Sequence, residues 1–229
     1  MKKKAKKVIL FLVEGASDLT SLEFIDNINT DETIKFQITS GDVTSKLNIT
    51  PQNCREEINK ILLSFLERSK LRKTDIIKII HILDIDGVYI PEINIIEDKN
   101  KKKFLYTING IVAPSKENVQ KRNESKKQIV EKLLVTSKIN SIPYEMYYMS
   151  CNLDHVLYNL QNATDTEKEE YAFNFSEKYI DNIEDFILFL CKSEFSCCDS
   201  YEDSWMFIKQ GKNSLERYSN LGLCFCLLS

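Results

Sequence analysis

Three short stretches place carboxylates where cation binding or catalysis would need them: Glu14-Gly15, Asp84-Ile85-Asp86-Gly87 and Asn152-Leu153-Asp154. Each follows an apolar run that reads as a β-strand, so each sits at the carboxyl end of a strand. In open α/β sheets, ligands bind beyond that edge. The glycines after Glu14 and Asp86 permit a tight turn and close approach of a ligand. Asp84 and Asp86 are two residues apart, and in extended chain such side chains point the same way. Clustered carboxylates without a basic partner repel one another; they persist only if protonated or neutralised by a cation. Hard oxygen donors favour Mg²⁺ or Mn²⁺, and Mg²⁺ commonly joins one or two carboxylates to phosphate oxygens. Such an ion activates water and stabilises an in-line phosphoryl displacement. Glu14, Asp84 and Asp86 are therefore the expected metal ligands. Asp18 and Asp154 are further acids that would bind a second ion or orient water.

Taken singly, each acid is better explained as a helix cap or turn residue. Their joint position carries the argument. Other chemistry is poorly served. The two histidines, His81 in mid-strand and His155 beside Asp154, support no Ser-His-Asp or Cys-His pairing. His81 reads as a core residue and His155 as a helix-surface one. Seven cysteines, an odd number, include no C-x-x-C pair, which argues against a disulfide framework or a zinc site. They read as small core residues. No GKS or GKT is present, so the chain carries no P-loop. Near the end, Trp205, Phe207 and Ile208 read as the docking face of a helix. Lys209, Lys212, Asn213 and Arg217 are candidate phosphate contacts.

The elements that must position these acids follow from pattern. Lys7–Val13 (KVILFLV) and Asp75–Leu83 (DIIKIIHIL) are continuous apolar runs, the signature of strands covered on both faces. Thr33–Thr39 alternates and suits a strand nearer an edge. Ile142–Met149 is a further strand. Helical spacing appears over Ser17–Asn27, with Ser17 or Asp18 as cap, and from Pro51 to about Lys70. It recurs over Glu117–Val135 and from Asn152 to Leu160. Phe104–Ala113 suits a strand or hairpin. After Ala163 helices are expected over Thr166–Tyr179, Ile183–Lys192 and Tyr201–Lys209, while Gly222–Leu228 is apolar and β-prone. Alternating strands and helices imply an α/β fold with a mainly parallel sheet flanked by helices, and a helical C-terminal extension.

Composition bounds the reading. Only six glycines and four prolines argue against a linker-rich chain. With 31 basic and 34 acidic side chains, net charge −3, total charge gives no nucleic-acid signal. Local basic runs remain, at Met1–Lys7, Lys99–Lys103 and Lys116–Lys127. The run at Lys99–Lys103 reads as a solvated loop or a nucleic-acid contact. The first lysines and VILFLV stop at Glu14 without a cleavage site, so they read as a strand rather than a secretion signal. No apolar stretch approaches the ~20 residues that span a bilayer, so no membrane association and a cytoplasmic location are expected.

VILFLVEGASD and IIHILDIDG, in that order and at that separation, resemble the topoisomerase-primase (Toprim) domain. That domain is recognised by a Glu after its first strand and a DxD after a later one. The form Glu14-Gly15-Ala16-Ser17-Asp18 is similar to the modules of primases and of OLD-type bacterial nucleases. Met149–Asn159 (MSCNLDHVLYN) resembles the strand-then-acidic-helix segment of small prokaryotic Toprim proteins linked to phage defence. There Asp154 stands where a Glu is usual, and Val88 and Tyr89 follow Gly87 where topoisomerases often carry a third acid. The resemblance covers roughly residues 5–160. It implies a Toprim-like catalytic domain over 1–160, with 161–229 packed on it as the helical extension. It further implies a Mg²⁺- or Mn²⁺-dependent endonuclease acting on RNA or DNA in phage defence, with a partner ATPase and a homo-oligomer as the assemblies to look for. The competing expectation is a non-catalytic Toprim-like module that binds nucleic acid or a partner ATPase.

Overall fold

Val8 to Val13 are all buried, which is why this run lacks polar alternation: as strand β1 (Lys7–Val13) it is covered on both faces. The computed structural model describes residues 7–27, 34–197 and 199–226. β1 pairs in parallel with β2 (Ile34–Ser40) on one side and β3 (Ile76–Asp84) on the other. A hairpin of β7 (Lys138–Ile139) and β8 (Ile142–Met149) completes a five-stranded sheet of order β2-β1-β3-β8-β7. Most of β2 is only half-buried, as its alternating sequence and edge position require. Thr33, expected to open that strand, lies outside the described residues. The result is an α/β chain with a mixed, mostly parallel sheet and flanking helices.

Two compact units share the chain. The first holds the described residues of Met1–Ile82, Ile129–Met146 and Glu169–Phe186. The second holds those of Leu83–Gln128, Tyr147–Lys168 and Ile187–Ser229. Residues 161–229, expected as one extension, are thus divided between the two. β3 and β8 belong to the first unit except for their last residues, which fall in the second.

In the first unit, α1 (Ala16–Leu22) runs on into a 3₁₀ turn over Glu23–Asn27. Its cap is Gly15, not Ser17 or Asp18: the Gly15 N–H donates to the Asp18 carboxylate at 2.8 Å. α2 (Cys54–Ser69) starts three residues after Pro51. The delay has a local cause, because Asn53 Oδ1 accepts the Thr50 N–H at 2.7 Å and holds a turn ahead of the helix. α2 ends at Lys70, which takes the left-handed conformation (φ 58°) usually given to glycine. Phe24 packs edge-on against Phe186, with Phe175 and Tyr179 of α5 (Asp165–Tyr179) completing an aromatic cluster. His81, fully buried, meets the Tyr144 hydroxyl at 2.7 Å through Nδ1.

In the second unit, β4 (Ile95–Glu97), β5 (Leu105–Thr107) and β6 (Gly110–Ala113) form a small sheet of order β4-β6-β5. Ile90, Ile95, Ile111, Val119, Cys151 and Leu215 pack together beneath it. Lys99 and Lys101 to Lys103 are exposed, as a solvated loop requires. The helices that follow are α3 (Lys116–Leu134), which continues into the first unit, α4 (Leu153–Tyr158), α6 (Ile183–Lys192), which begins in the first unit, and α7 (Tyr201–Ile208). Trp205 and Ile208 are buried. The expected strand at Gly222–Leu228 is instead a helix, α8 (Leu221–Cys226). Leu221, Cys224 and Phe225 are buried at i, i+3 and i+4, a helical face that a short apolar run conceals. Leu227 and Leu228 lie outside the described residues. No helix among the described residues is long and apolar enough to cross a membrane.

Gly110 is the tightest backbone approach. Its φ is +150°, and a Cβ there would fall 1.8 Å from the Asn94 carbonyl oxygen. Gly110→Ala should therefore lower unfolding free energy by about 2 kcal/mol or more, through strain and displaced pairing. Urea denaturation monitored by circular dichroism checks this. An unchanged midpoint would mean that β4 and β6 do not meet as described.

Candidate functional site

The chain leaves β3 at Asp84 and turns at once. Asp86 adopts a left-handed conformation (φ 54°) and Gly87 another (φ 68°). Asp tolerates this region better than most residues, and glycine needs no tolerance at all. A Cβ on Gly87 would press within 3.2 Å of both Ile111 and Leu215. The alternation that would aim Asp84 and Asp86 in one direction therefore stops at Asp84. The turn's own N–H groups are used: Ile85 donates to Met149 O, Asp86 to Cys151 O and Gly87 to Ser214 O.

Both carboxylate oxygens of Asp86 are engaged. Oδ2 accepts the Lys126 ammonium at 2.6 Å, and Oδ1 accepts the Tyr106 hydroxyl at 2.8 Å. Arg122 donates Nη2 to the Asp86 backbone carbonyl at 2.7 Å and Nη1 to the Tyr106 oxygen at 2.9 Å. Its guanidinium lies 5.1 Å from the centre of the Phe104 ring. Arg122 and Lys126 are four residues apart on α3, so one helix face delivers both charges. Lys126 is 2 % exposed, and only desolvated pairing of this kind keeps a lysine there. Burial alone would raise the Asp86 pKa; Lys126 and Arg122, aided by the bonds from Lys126 and Tyr106, hold it below the usual carboxylate value. Burial, then the Asp86 charge, lifts Tyr106 well above its ordinary range. Burial, then Asp86 and Asp84, does the same to Cys151, so that thiol stays protonated and is no nucleophile.

Asp84 is half-buried, and its Oδ1 accepts the Leu153 N–H at 2.9 Å. Asn152 caps α4 by accepting the His155 N–H at 2.8 Å. Asp154 is buried; Oδ2 lies 3.2 Å from Lys168 Nζ, while Oδ1 has no hydrogen-bond partner among the described residues. Burial raises the Asp154 pKa against the opposing pull of Lys168. His155 is not on the surface, as its helical position suggested. It is half-buried, its Nδ1 lacks a hydrogen-bond partner among the described residues, and burial with the nearby Arg217 charge lowers its pKa to about 4.

In the first unit, Glu14 follows β1 and is half-buried; its Oε1 accepts the Thr44 hydroxyl. Asp18 is buried and spends Oδ2 on the Gly15 N–H, so its first duty is to begin α1. Glu14 and Asp18 thus belong to one unit, and Asp84, Asp86 and Asp154 to the other.

Oxygen donors of the kind Mg²⁺ takes are present, but they differ in how far they suit it. Asp84 fits a ligand's role, being half-buried and held in place by a backbone N–H. Asp86 does not fit as arranged, because a lysine ammonium already neutralises it. Among the described residues, no group of three or more His, Cys, Asp or Glu side chains stands ready to hold a metal ion.

Lys126, Arg122 and Tyr106 were not singled out by the sequence as partners of the acids. The i, i+4 spacing of Arg122 and Lys126 within the basic run of α3 was the available signal; Tyr106 offered none. The tail's candidate phosphate contacts have mostly structural duties. Lys212 donates to Ile108 O at 2.7 Å and Asn213 to Phe207 O at 2.8 Å, while the Lys209 ammonium lies 5.8 Å from the centre of the Tyr89 ring. No family model, no curated protein and no solved structure matches this chain.

Lys126→Met leaves a buried carboxylate beside one cation fewer, and should cost about 3 kcal/mol of stability. Adding Asp86→Asn should restore a large part of that loss. Chemical denaturation of the single and double variants reads the coupling, and additive losses would dissolve the pair as described. The acid limb gives a second check. A lowered folded pKa means that the Asp86 contribution is complete above its unfolded value, near 3.8, and fades as pH falls toward the folded one. The stability gap between the native chain and Asp86→Asn should accordingly shrink on acidification below that value; a gap that widens contradicts the pairing.

Proposed function

We propose that the protein is a Toprim-like phosphodiester hydrolase, cutting RNA or DNA with a divalent metal ion as part of a defence against phage. The observation that carries this reading is topological. Glu14 follows β1 and Asp84 ends β3, and these strands are parallel neighbours in the sheet. Strand-end acids in that order are what the resemblance to Toprim modules is built on.

In this reading Asp84 would hold the ion, and Glu14 is the further acid that the resemblance to Toprim modules calls for. The bound ion supplies activated water and offsets charge in an in-line displacement. The remaining roles belong to the chain itself. Lys126 is too deeply buried to reach a substrate; it keeps Asp86 ionised and fixes the turn that follows Asp84. Arg122 clamps the same turn through the Asp86 carbonyl. The Leu153 N–H fixes the orientation of the Asp84 carboxylate.

A second reading has its own support. Asp86 draws its counter-charge from Lys126 within the chain, which is what a module that binds nucleic acid or a partner ATPase without cleaving it would retain.

The two separate in one experiment. The purified chain is incubated with labelled single-stranded RNA, single-stranded DNA and duplex DNA, in Mg²⁺, in Mn²⁺ and in chelator. The hydrolase reading expects ion-dependent cleavage of at least one substrate, reduced about 100-fold or more in Asp84→Ala and in Glu14→Ala. Cleavage that survives both substitutions defeats the assignment of residues. No cleavage, together with no Mn²⁺-dependent rise in melting temperature, leaves the binding module.

A further inference from the structure

A separate cleft of about 540 Å³ opens within the second unit, walled by His155, Glu194, Phe195, Glu216 and Arg217 among others. Its volume falls in the range of sites that take small organic ligands. We propose that this cleft binds a nucleoside monophosphate unit with a ribose sugar, either as a free nucleotide or as one nucleotide of a single strand.

The argument starts with Arg217. Its Nε donates to the Val156 carbonyl at 2.9 Å, and its guanidinium lies 5.1 Å from the centre of the Phe195 ring. Those two contacts fix the plane of the group. The terminal nitrogens are left without a hydrogen-bond partner among the described residues, as a pre-set fork for one phosphate. The guanidinium plane is also a surface on which a base can stack.

Charge narrows the class further. One guanidinium stands against two carboxylates, Glu194 and Glu216, on the same walls. Such a lining rejects bare polyanions, which bring charge and nothing for the carboxylates to accept. It suits a ligand with a single phosphate and several hydrogen-bond donors elsewhere. Ribose hydroxyls and the exocyclic amine of a base are donors of that kind, and carboxylates read them. A phosphate within a strand carries one negative charge, and the Arg217 fork is its cationic partner on these walls. His155 contributes ring surface to the same wall.

The inference deepens the proposed reading, on which its choice of ligand class rests, by naming RNA over DNA. Its test is a binding measurement in chelator, so it stands or falls apart from cleavage. The full chain is titrated calorimetrically with AMP, GMP, CMP and UMP, and by fluorescence anisotropy with a labelled single-stranded RNA of mixed sequence and its DNA counterpart. Binding of a mononucleotide identifies a free nucleotide as the source, and binding of the RNA strand alone identifies a nucleotide within a strand. Either supports the proposal if Arg217→Gln weakens it about tenfold or more. Glu194→Gln, at an exposed position, should weaken the same ligand without lowering the melting temperature, which covers the case in which Arg217→Gln fails to fold. Three results overturn the proposal: no binding of any probe, DNA bound as well as RNA, or affinity unchanged in the variants that fold. Binding that Arg217→Gln leaves unchanged retires this cleft, whatever cleavage the chain shows in Mg²⁺ or Mn²⁺.

Discussion

The second unit is organised around one buried charge. Asp86 sits in a left-handed turn, mostly removed from water, and a carboxylate there is costly unless a cation and hydrogen bonds meet it. Lys126, Arg122 and Tyr106 meet it from α3 and β5. The demand fixes more than one side chain. α3 must present the face that carries Arg122 and Lys126. β5 must bring Tyr106 within reach of both the acid and the guanidinium. The residues from Met149 to Cys151 and Ser214 must receive the turn's N–H groups. A buried ion pair is weak evidence of net stability, since an apolar replacement is often as stable. It is better evidence of registry, because few other arrangements leave no charge stranded.

The same pair changes what the acids can do. Clustered carboxylates without basic neighbours would call for an external cation. Here one of the acids finds its cation inside the chain, and its oxygens are shared between an ammonium and a phenol. Asp84 is differently placed. It is half-buried, and the Leu153 N–H orients it. Two aspartates separated by one isoleucine thus have unlike surroundings, and the bend between them makes the difference.

Much of the fold was legible because its strands declare themselves. KVILFLV and DIIKIIHIL are apolar without alternation, which only double coverage explains, and both lie inside the five-stranded sheet. The bounds of α6 could be read directly from its periodicity. What failed was local. The run from Gly222 is too short for spacing to separate strand from helix. The start of α2 was set by a hydrogen bond from Thr50 to Asn53 rather than by Pro51. The site was legible at the level of which residues carry chemistry, and opaque at the level of their partners. A lysine in a basic helical run looks solvated until tertiary contacts bury it, as they bury Lys126 and leave Lys121 at the surface.

The short helix α4 shows how one element holds two charged side chains of the second unit. Its first residue gives its N–H to Asp84, and the carbonyl of Val156 takes the Nε of Arg217. A helix of six residues cannot satisfy its own ends, since its first N–H groups and last carbonyls have no intrahelical partner. One of those groups is met by a carboxylate at the end of a strand, and a carbonyl further along by a guanidinium on the wall of a cleft. The backbone groups that a longer helix would bond internally are here the means of holding two charged side chains in place. The brevity of α4 is therefore part of how the unit positions both an acid and a base, and lengthening the helix would take those anchors away.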